Sequence, residues 1–126
     1  MEIIIPGNPI TKKNSQRIVT TRSGRPFILP SQAFKDYEKT ARCYIRWTDD
    51  PIDYPVNIKC LYYMKTHRRV DLVNLLEATD DILVSCGVLK DDNAQIIVSH
   101  DGSRVYYDKE EPRAEVFIEP SRNHYI

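Results

Sequence analysis

The chain has 126 residues and 41% apolar residues, so it is long and apolar enough to form one domain with one core and is not a disordered segment. No stretch approaches the roughly 20 consecutive apolar residues of a membrane span, and the N-terminus lacks the features of a secretion signal, so we expect no membrane partner. Three widely spaced cysteines predict free thiols in a cytoplasmic protein, without disulfides or a zinc site.

The net charge of zero conceals a basic part and an acidic part. Residues 1–47 carry nine Lys or Arg against three Asp or Glu, whereas residues 70–101 carry one Lys against seven acids. This division is typical of a protein that binds a polyanion with one surface and cations with another. Charges scattered over a soluble surface would give the same totals, so the pattern leaves both interpretations open.

In the first half of the chain the pattern predicts a strand, a loop, a hairpin and a helix. An apolar run predicts a strand over residues 2–6, followed by a loop rich in Pro, Gly and Asn. Ser23-Gly24 lies between β-type residues and predicts a hairpin. Ser31 is placed to cap a helix over residues 32–47, where apolar residues recur at helical spacing.

The second half predicts a strand over 56–65, a helix over 72–86 that Gly87 ends, and a strand over 94–100. The segments "RVYY" and "AEVFIE" then predict a closing hairpin around "DKEEP". Together the elements predict an α+β fold, a single domain over residues 1–126 with a mixed β-sheet and two main helices.

The helix over 72–86 has two distinct sides at 100° per residue, and Asp71 stands where its N-cap is expected. The apolar side, which we expect to pack on the sheet, gathers Leu72, Leu75, Leu76, Thr79, Ile82, Leu83 and Cys86. The other side is a narrow polar stripe of Asn74, Glu77, Asp81 and Ser85. Val73 and Val84 flank this stripe and are candidates for a subunit interface.

The stripe is a candidate half of a magnesium site. Glu77 and Asp81 lie one turn apart and repel each other, and no Lys or Arg occurs between residues 69 and 90 to offset them. Carboxylates without local cations suit Mg²⁺, which prefers oxygen ligands. Asp91 and Asp92, on the loop before the next strand, are the candidate second half. The alternative is that Asp71 is only a cap and the acids only a solvated surface.

Spacing alone does not bring the two halves together. The helix is about 20 Å long, so Asp92 approaches Asp71 only if the following strand runs back, or if a dimer supplies the second acid. The spacing also differs from that of the twelve-residue EF-hand loop, which argues against a calcium-binding structural domain.

The segment "RRVDLVNLLEATDDILVSCGVLKDDNAQII" resembles the signature of the RusA-type Holliday junction resolvases, small Mg²⁺-dependent endonucleases of bacteria and their phages. That signature has arginines, then Asp-Leu-Asp-Asn-Leu, a helix with a further Asp, a Gly turn, and Asp-Asp before a strand. The matching residues, in order and without a gap, are Asp71, Leu72, Asn74, Leu75, Asp81, Gly87, Asp91 and Asp92. The opening "PITKKNS", Pro9 to Ser15, is similar to the family's opening as well.

The chain departs from the signature at two positions. The second Asp of the motif is Val73 here, and the Lys that the family carries on the helix is Glu77. Val73 cannot bind a metal, so one expected ligand is missing. Glu77 lies one turn along nearly the same face, and we hypothesise that it replaces the lost carboxylate. Glu77→Gln should then reduce Mg²⁺-dependent cleavage much more than junction binding.

The resemblance implies a RusA-like fold and hydrolysis of phosphodiester bonds in four-way junction DNA, with Mg²⁺ as cofactor and Mn²⁺ as its substitute. It implies Asp71 and Asp92 as metal ligands, with Glu77, Asp81 and Asp91 as further ligands or holders of metal-bound water. A homodimer would match the twofold symmetry of a junction and make paired cuts. A non-catalytic protein that binds junctions or other nucleic acid is the alternative.

The basic residues near both motifs are expected to contact the phosphate backbone. They are Lys12, Lys13, Asn14 and Arg17 in the N-terminal loop, and Lys65, Arg68 and Arg69 before the helix. His67 and His100 are expected to be structural, and Tyr62, Tyr63, Tyr106 and Tyr107 are expected to pack in the sheet.

Overall fold

The computed structural model describes residues 1–12, 17–20, 22–29 and 31–121, and for 17–20 and 27–29 it describes the backbone. The elements are β1 (Glu2–Pro6), β2 (Arg17–Thr20), β3 (Pro26–Leu29), α1 (Gln32–Tyr44), β4 (Val56–Met64), α2 (Leu72–Ser85), β5 (Ile97–Ser99), β6 (Arg104–Tyr107) and β7 (Arg113–Pro120). Lys13 and Asn14 lie outside the described residues, as do 15–16, 21, 30 and 122–126.

A five-stranded mixed sheet forms the centre of the molecule. β7 pairs antiparallel with β1 on one side and with β4 on the other. The far edge of β4 is shared by two short parallel strands, β5 along its first residues and β6 along its last. β2 and β3 form a separate antiparallel hairpin, as predicted. The expected α+β fold with a mixed sheet and two helices is confirmed.

One face of the sheet carries the core. The even-numbered residues of β4 are buried and the odd-numbered ones are half-buried, as expected for a strand covered on one face only. Both helices pack on the buried face. α2 contributes Leu75, Ala78, Thr79, Ile82 and Leu83, so its predicted apolar side is confirmed. Within the described residues, no helix is long and apolar enough to cross a membrane.

The predicted closing hairpin is wrong. β6 and β7 do not pair with each other, because β4 lies between them. Tyr63 of β4 stands opposite Tyr106 on one side and opposite Arg113 on the other. The chain instead crosses over β4 between residues 107 and 113. Alternating residues around a turn indicate that two strands are present, but they do not identify each strand's partner.

The remaining predicted bounds differ only at the ends. α1 ends at Tyr44 and not at residue 47, and β5 is three residues long and not seven. Ser31 and Asp71 cap α1 and α2 as predicted. Gly87 follows the end of α2 with φ 78°, a left-handed conformation that favours glycine.

Candidate active site

Asp71 lies at the amino end of α2, beside the loop that leaves β4. Its carboxylate accepts a hydrogen bond of 2.9 Å from the backbone N–H of Val73, which satisfies one of the unpaired donors of the first turn. A surface cleft of about 570 Å³ opens there, and its lining residues include Arg69, Asp71 and Asn74. Asp71 is exposed, so the cap leaves it accessible to a ligand in this cleft.

The two aspartates of the loop before β5 have different surroundings. Asp91 accepts hydrogen bonds from the backbone N–H of Asp92 at 2.8 Å and from the side-chain amide of Asn93 at 3.3 Å, so both its oxygens hold the turn. Partial desolvation raises the pKa of the exposed Asp92, and its neighbour Asp91 and the charge of Asp81 raise it further. Asp92 therefore lies near the second half of α2.

Asp80 is a partly buried carboxylate next to the candidate ligand Asp81, and the sequence pattern does not single it out. One of its oxygens, Oδ2, lies 2.9 Å from Nε2 of His100, while Oδ1 is buried and has no hydrogen-bond partner among the described residues. Burial raises the pKa of Asp80, and the charges of Asp92 and Asp81 add to this, although the bond from His100 opposes it. The charges of Asp81 and Asp92 thus both act on the carboxylate of Asp80.

The orientation of His100 shows where a proton resides. Its Nδ1 lies 2.8 Å from the carbonyl oxygen of Ile58, which can only accept, so Nδ1 carries a hydrogen. The contact between Nε2 of His100 and the carboxylate of Asp80 therefore requires a second proton, which is bound either to Nε2 or to the carboxylate. Burial alone would lower the pKa of His100, but its hydrogen bond and ion pair with Asp80 raise it. His100 links the end of β5 to β4 and α2 through these two contacts, and its structural role stays a prediction.

Asp81 has a cationic partner, although the sequence of α2 contains no Lys or Arg that could pair with it. Lys12 reaches it from the N-terminal loop with Nζ 3.1 Å from Oδ2. The structure therefore joins a predicted DNA-binding residue to a predicted metal ligand. Local sequence could not show this pair, because its members are 69 positions apart.

The predicted metal ligands fall into two places in one protomer. Asp71 and Asp81 are separated by ten residues of helix, about 15 Å at 1.5 Å per residue. Asp92 lies close enough to Asp81 for the charge of Asp81 to raise its pKa. In the part of the chain that the structure describes, no three His, Cys, Asp or Glu side chains converge as a metal site. Glu77 lies on the exposed surface of α2 between the two places.

The segment 65–69 is a cationic surface at the carboxyl end of β4. Lys65, Arg68 and Arg69 are exposed, and no described acidic side chain lies within ion-pair distance of them. The backbone N–H of Lys65 donates to the side-chain oxygen of Asn8 at 2.9 Å, which fixes the start of the segment. Arg17 is the first residue of β2, and the structure describes only its backbone, so its predicted contact with DNA stays a prediction.

The valines that flank the stripe differ from each other. Val73 is 66% exposed, whereas Val84 packs partly against the core. Val73 is therefore an apolar residue at the surface beside Asp71, at the position where the resemblance implies a carboxylate.

The comparisons with known proteins identify one family. A model of the endodeoxyribonuclease RusA family matches residues 6–119, which include the whole segment from Asp71 to Asp92. No curated protein matches the chain. The match covers both helices, the cationic segment and the sheet apart from most of β1 and the last residue of β7. The chain therefore belongs to the RusA family of endodeoxyribonucleases and is an enzyme that cleaves DNA.

Proposed function

We propose that this endodeoxyribonuclease resolves Holliday junctions by paired, Mg²⁺-dependent cuts in opposing strands. The observation that carries the proposal is the family match over residues 6–119, because the RusA family acts on junction DNA and the match contains every proposed metal ligand. The position of the cationic segment 65–69 directly before Asp71 also supports the proposal, since a nuclease must hold phosphate close to its metal.

The carboxylates fit a magnesium ion of the kind that nucleases use. Mg²⁺ keeps several waters and is commonly held by one or two carboxylates together with substrate phosphate, so three converging side chains are not required. The buried, unpartnered Oδ1 of Asp80 favours a cation near Asp92, because a buried acceptor without a partner is costly. When bound, the ion would polarise the phosphate and lower the pKa of a coordinated water.

We assign Asp71 as the principal ligand at the start of α2 and Asp92 as the principal ligand beside Asp80 and Asp81, with Glu77 and Asp81 as further ligands or holders of metal-bound water. Asp91 orients the loop that presents Asp92, because both its oxygens are engaged in the turn. In this proposal Lys12 has to release Asp81 before Asp81 can serve a metal.

Two residues compete to supply the carboxylate that Val73 lacks. Glu77 is one turn from Val73, and Asp80 is two turns away on nearly the same side of α2. Asp80 has the unpartnered oxygen and the neighbouring Asp92, so we favour it. Mn²⁺ binding measured by calorimetry separates them, because Asp80→Asn should weaken it more than Glu77→Gln. The reverse order would restore Glu77 to that role.

The DNA backbone is proposed to lie along Lys65, Arg68 and Arg69, which adjoin Asp71 and have no ion-pair partner among the described residues. The N-terminal loop with Lys12, Lys13, Asn14 and Arg17 is proposed as a second phosphate contact. A homodimer with two active sites would match the twofold symmetry of the junction. It would also place acids of both protomers near one branch point.

The test is cleavage of a synthetic four-way junction, with duplex DNA of the same sequence as the control. The wild type should cut the junction in Mg²⁺ or Mn²⁺ and not in EDTA. Asp92→Asn should lower the cleavage rate by at least about a hundredfold, since loss of a ligand removes several kcal/mol of charge stabilisation. Junction binding by this variant should persist. Full cleavage by Asp92→Asn would remove Asp92 from the chemistry.

A further inference from the structure

The end of β6 exposes aromatic rings where a sheet edge would ordinarily be protected. β6 pairs only with β4 among the described strands, and all four of its residues are exposed. Tyr106 is 39% exposed and Tyr107 is 46% exposed, although Tyr106 also packs on its cross-strand neighbour Tyr63, as predicted for packing in the sheet. Tyr62, in contrast, is fully buried, with its hydroxyl bonded to Thr79 at 2.7 Å.

Both exposed tyrosines are stacked face to face with a second ring. Tyr107 lies on His67 with ring centroids 3.8 Å apart and planes inclined by 23°. Tyr106 lies on Tyr63 at 5.1 Å and 18°, and the guanidinium of Arg113 lies 3.8 Å from the Tyr63 centroid. The partners hold the two rings in fixed orientations at the surface, which lowers the entropy cost of binding a further flat group.

The His67–Tyr107 stack lines a cleft that also contains the cation Arg68. The cleft has a volume of about 310 Å³ and lies between β6 and the segment after β4, with His67, Arg68 and Tyr107 in its lining. Asp108, the acidic residue that directly follows Tyr107, forms an ion pair with Arg113, with 3.0 Å between its Oδ2 and Nη1 of Arg113. The cations Lys65 and Arg68 are therefore not offset by that acid.

We propose that the His67–Tyr107 stack is a platform for an unpaired base of DNA, with Arg68 and its neighbours binding the flanking phosphates. The proposal deepens, and rests on, the assignment of junction DNA as substrate. Aromatic rings beside cations bind single-stranded DNA because every base has a π-face, whereas bases inside a duplex are already stacked on both faces. The branch point is where a junction can present an open base.

A second copy of the chain is a less suitable occupant of this cleft. Pairing of β6 with β6 across a twofold axis would bring the same cationic segment of both protomers together, and like charges oppose such an interface. DNA phosphates complement these cations.

The experiment measures binding of a fluorescent oligothymidine and of a duplex in EDTA at low salt, so that no cleavage occurs. Tyr107→Ala should weaken oligothymidine binding at least about fivefold, the lower limit for loss of one stacked base. Tyr107→Phe keeps the ring and should bind as the wild type does. Tyr54→Ala is the matched control, because Tyr54 is 47% exposed and precedes β4 at its other end. It should leave binding unchanged.

A second measurement uses the wild type, so it does not depend on the folding of a variant. A 2-aminopurine in the oligothymidine should lose fluorescence on binding, because stacking on an aromatic ring quenches it. Unchanged oligothymidine affinity in Tyr107→Ala would overturn the platform, as would an equal loss for duplex or a change of oligomeric state on size-exclusion chromatography. Junction cleavage in Mg²⁺ is scored separately, so failure of the platform is distinguishable from failure of the resolvase assignment.

Discussion

At the scale of single residues, Asp71 has two separable tasks. Its carboxylate caps α2, as the 2.9 Å bond to the N–H of Val73 shows, and it is also our proposed metal ligand. Capping needs a side-chain oxygen, which Asn supplies as well as Asp. Metal binding needs the negative charge, which Asn lacks.

We therefore expect Asp71→Asn and Asp71→Ala to differ in stability and to agree in activity. Asp71→Asn should unfold at nearly the wild-type temperature, and Asp71→Ala should lose about 0.5–2 kcal/mol of unfolding free energy through loss of the cap. Both should fail to cut junctions. Denaturant unfolding and cleavage assays on the two proteins check this, and an active Asp71→Asn would show that the residue is only a cap.

At the scale of elements, His100 ties the end of β5 to the middle of α2 through a shared proton. The interaction with Asp80 raises the pKa of His100 above its ordinary value of 6.5. A raised pKa means that the folded protein binds the proton more tightly than the unfolded chain does. The resulting stabilisation is fully present below about pH 6.5 and is lost as the pH rises through the folded-state pKa.

This predicts a pH-dependent difference between the wild type and His100→Asn. Asn lacks a titratable ring but can still donate to the carbonyl of Ile58. The wild type should be more stable than the variant at about pH 6, and the difference should shrink towards about pH 9 as His100 loses its proton. Thermal unfolding across this range is the measurement. A constant difference would mean that the pair does not hold the proton.

The sequence predicted the helices and strands more accurately than it predicted which strands pair with each other. Regular periodicity and caps located α1, β4 and α2 to within three residues, since these signals are local. The place of β6 beside β4, and not beside β7, depends on tertiary pairing and was not predictable from alternation.

The same limit applied to the site. The segment from Asp71 to Asp92 was identified by its ungapped motif. Asp80 was missed because its partner His100 follows a different element and because on the helix wheel Asp80 falls at about 240°, between the core side and the stripe. The Lys12–Asp81 pair was likewise hidden by its distance along the chain.

At the scale of the whole molecule, the basic and acidic parts of the sequence meet in the folded protein. Lys12 of the basic part holds Asp81 of the acidic part, while the cationic segment 65–69 leads directly into Asp71. In our proposal, DNA that follows this segment would reach Asp71. A dimer on a twofold symmetric junction would present two such sites to opposing strands.

The most direct test of paired cutting uses a supercoiled plasmid that extrudes a cruciform, which is a four-way junction within a closed circle. Coordinated cuts in opposing strands convert the circle to a linear molecule with hairpin ends, whose nicks a ligase can seal. We predict linear product in Mg²⁺, none in EDTA, and none with Asp92→Asn. Accumulation of nicked circles alone, or of no product in Mg²⁺, would contradict the assignment as a junction resolvase.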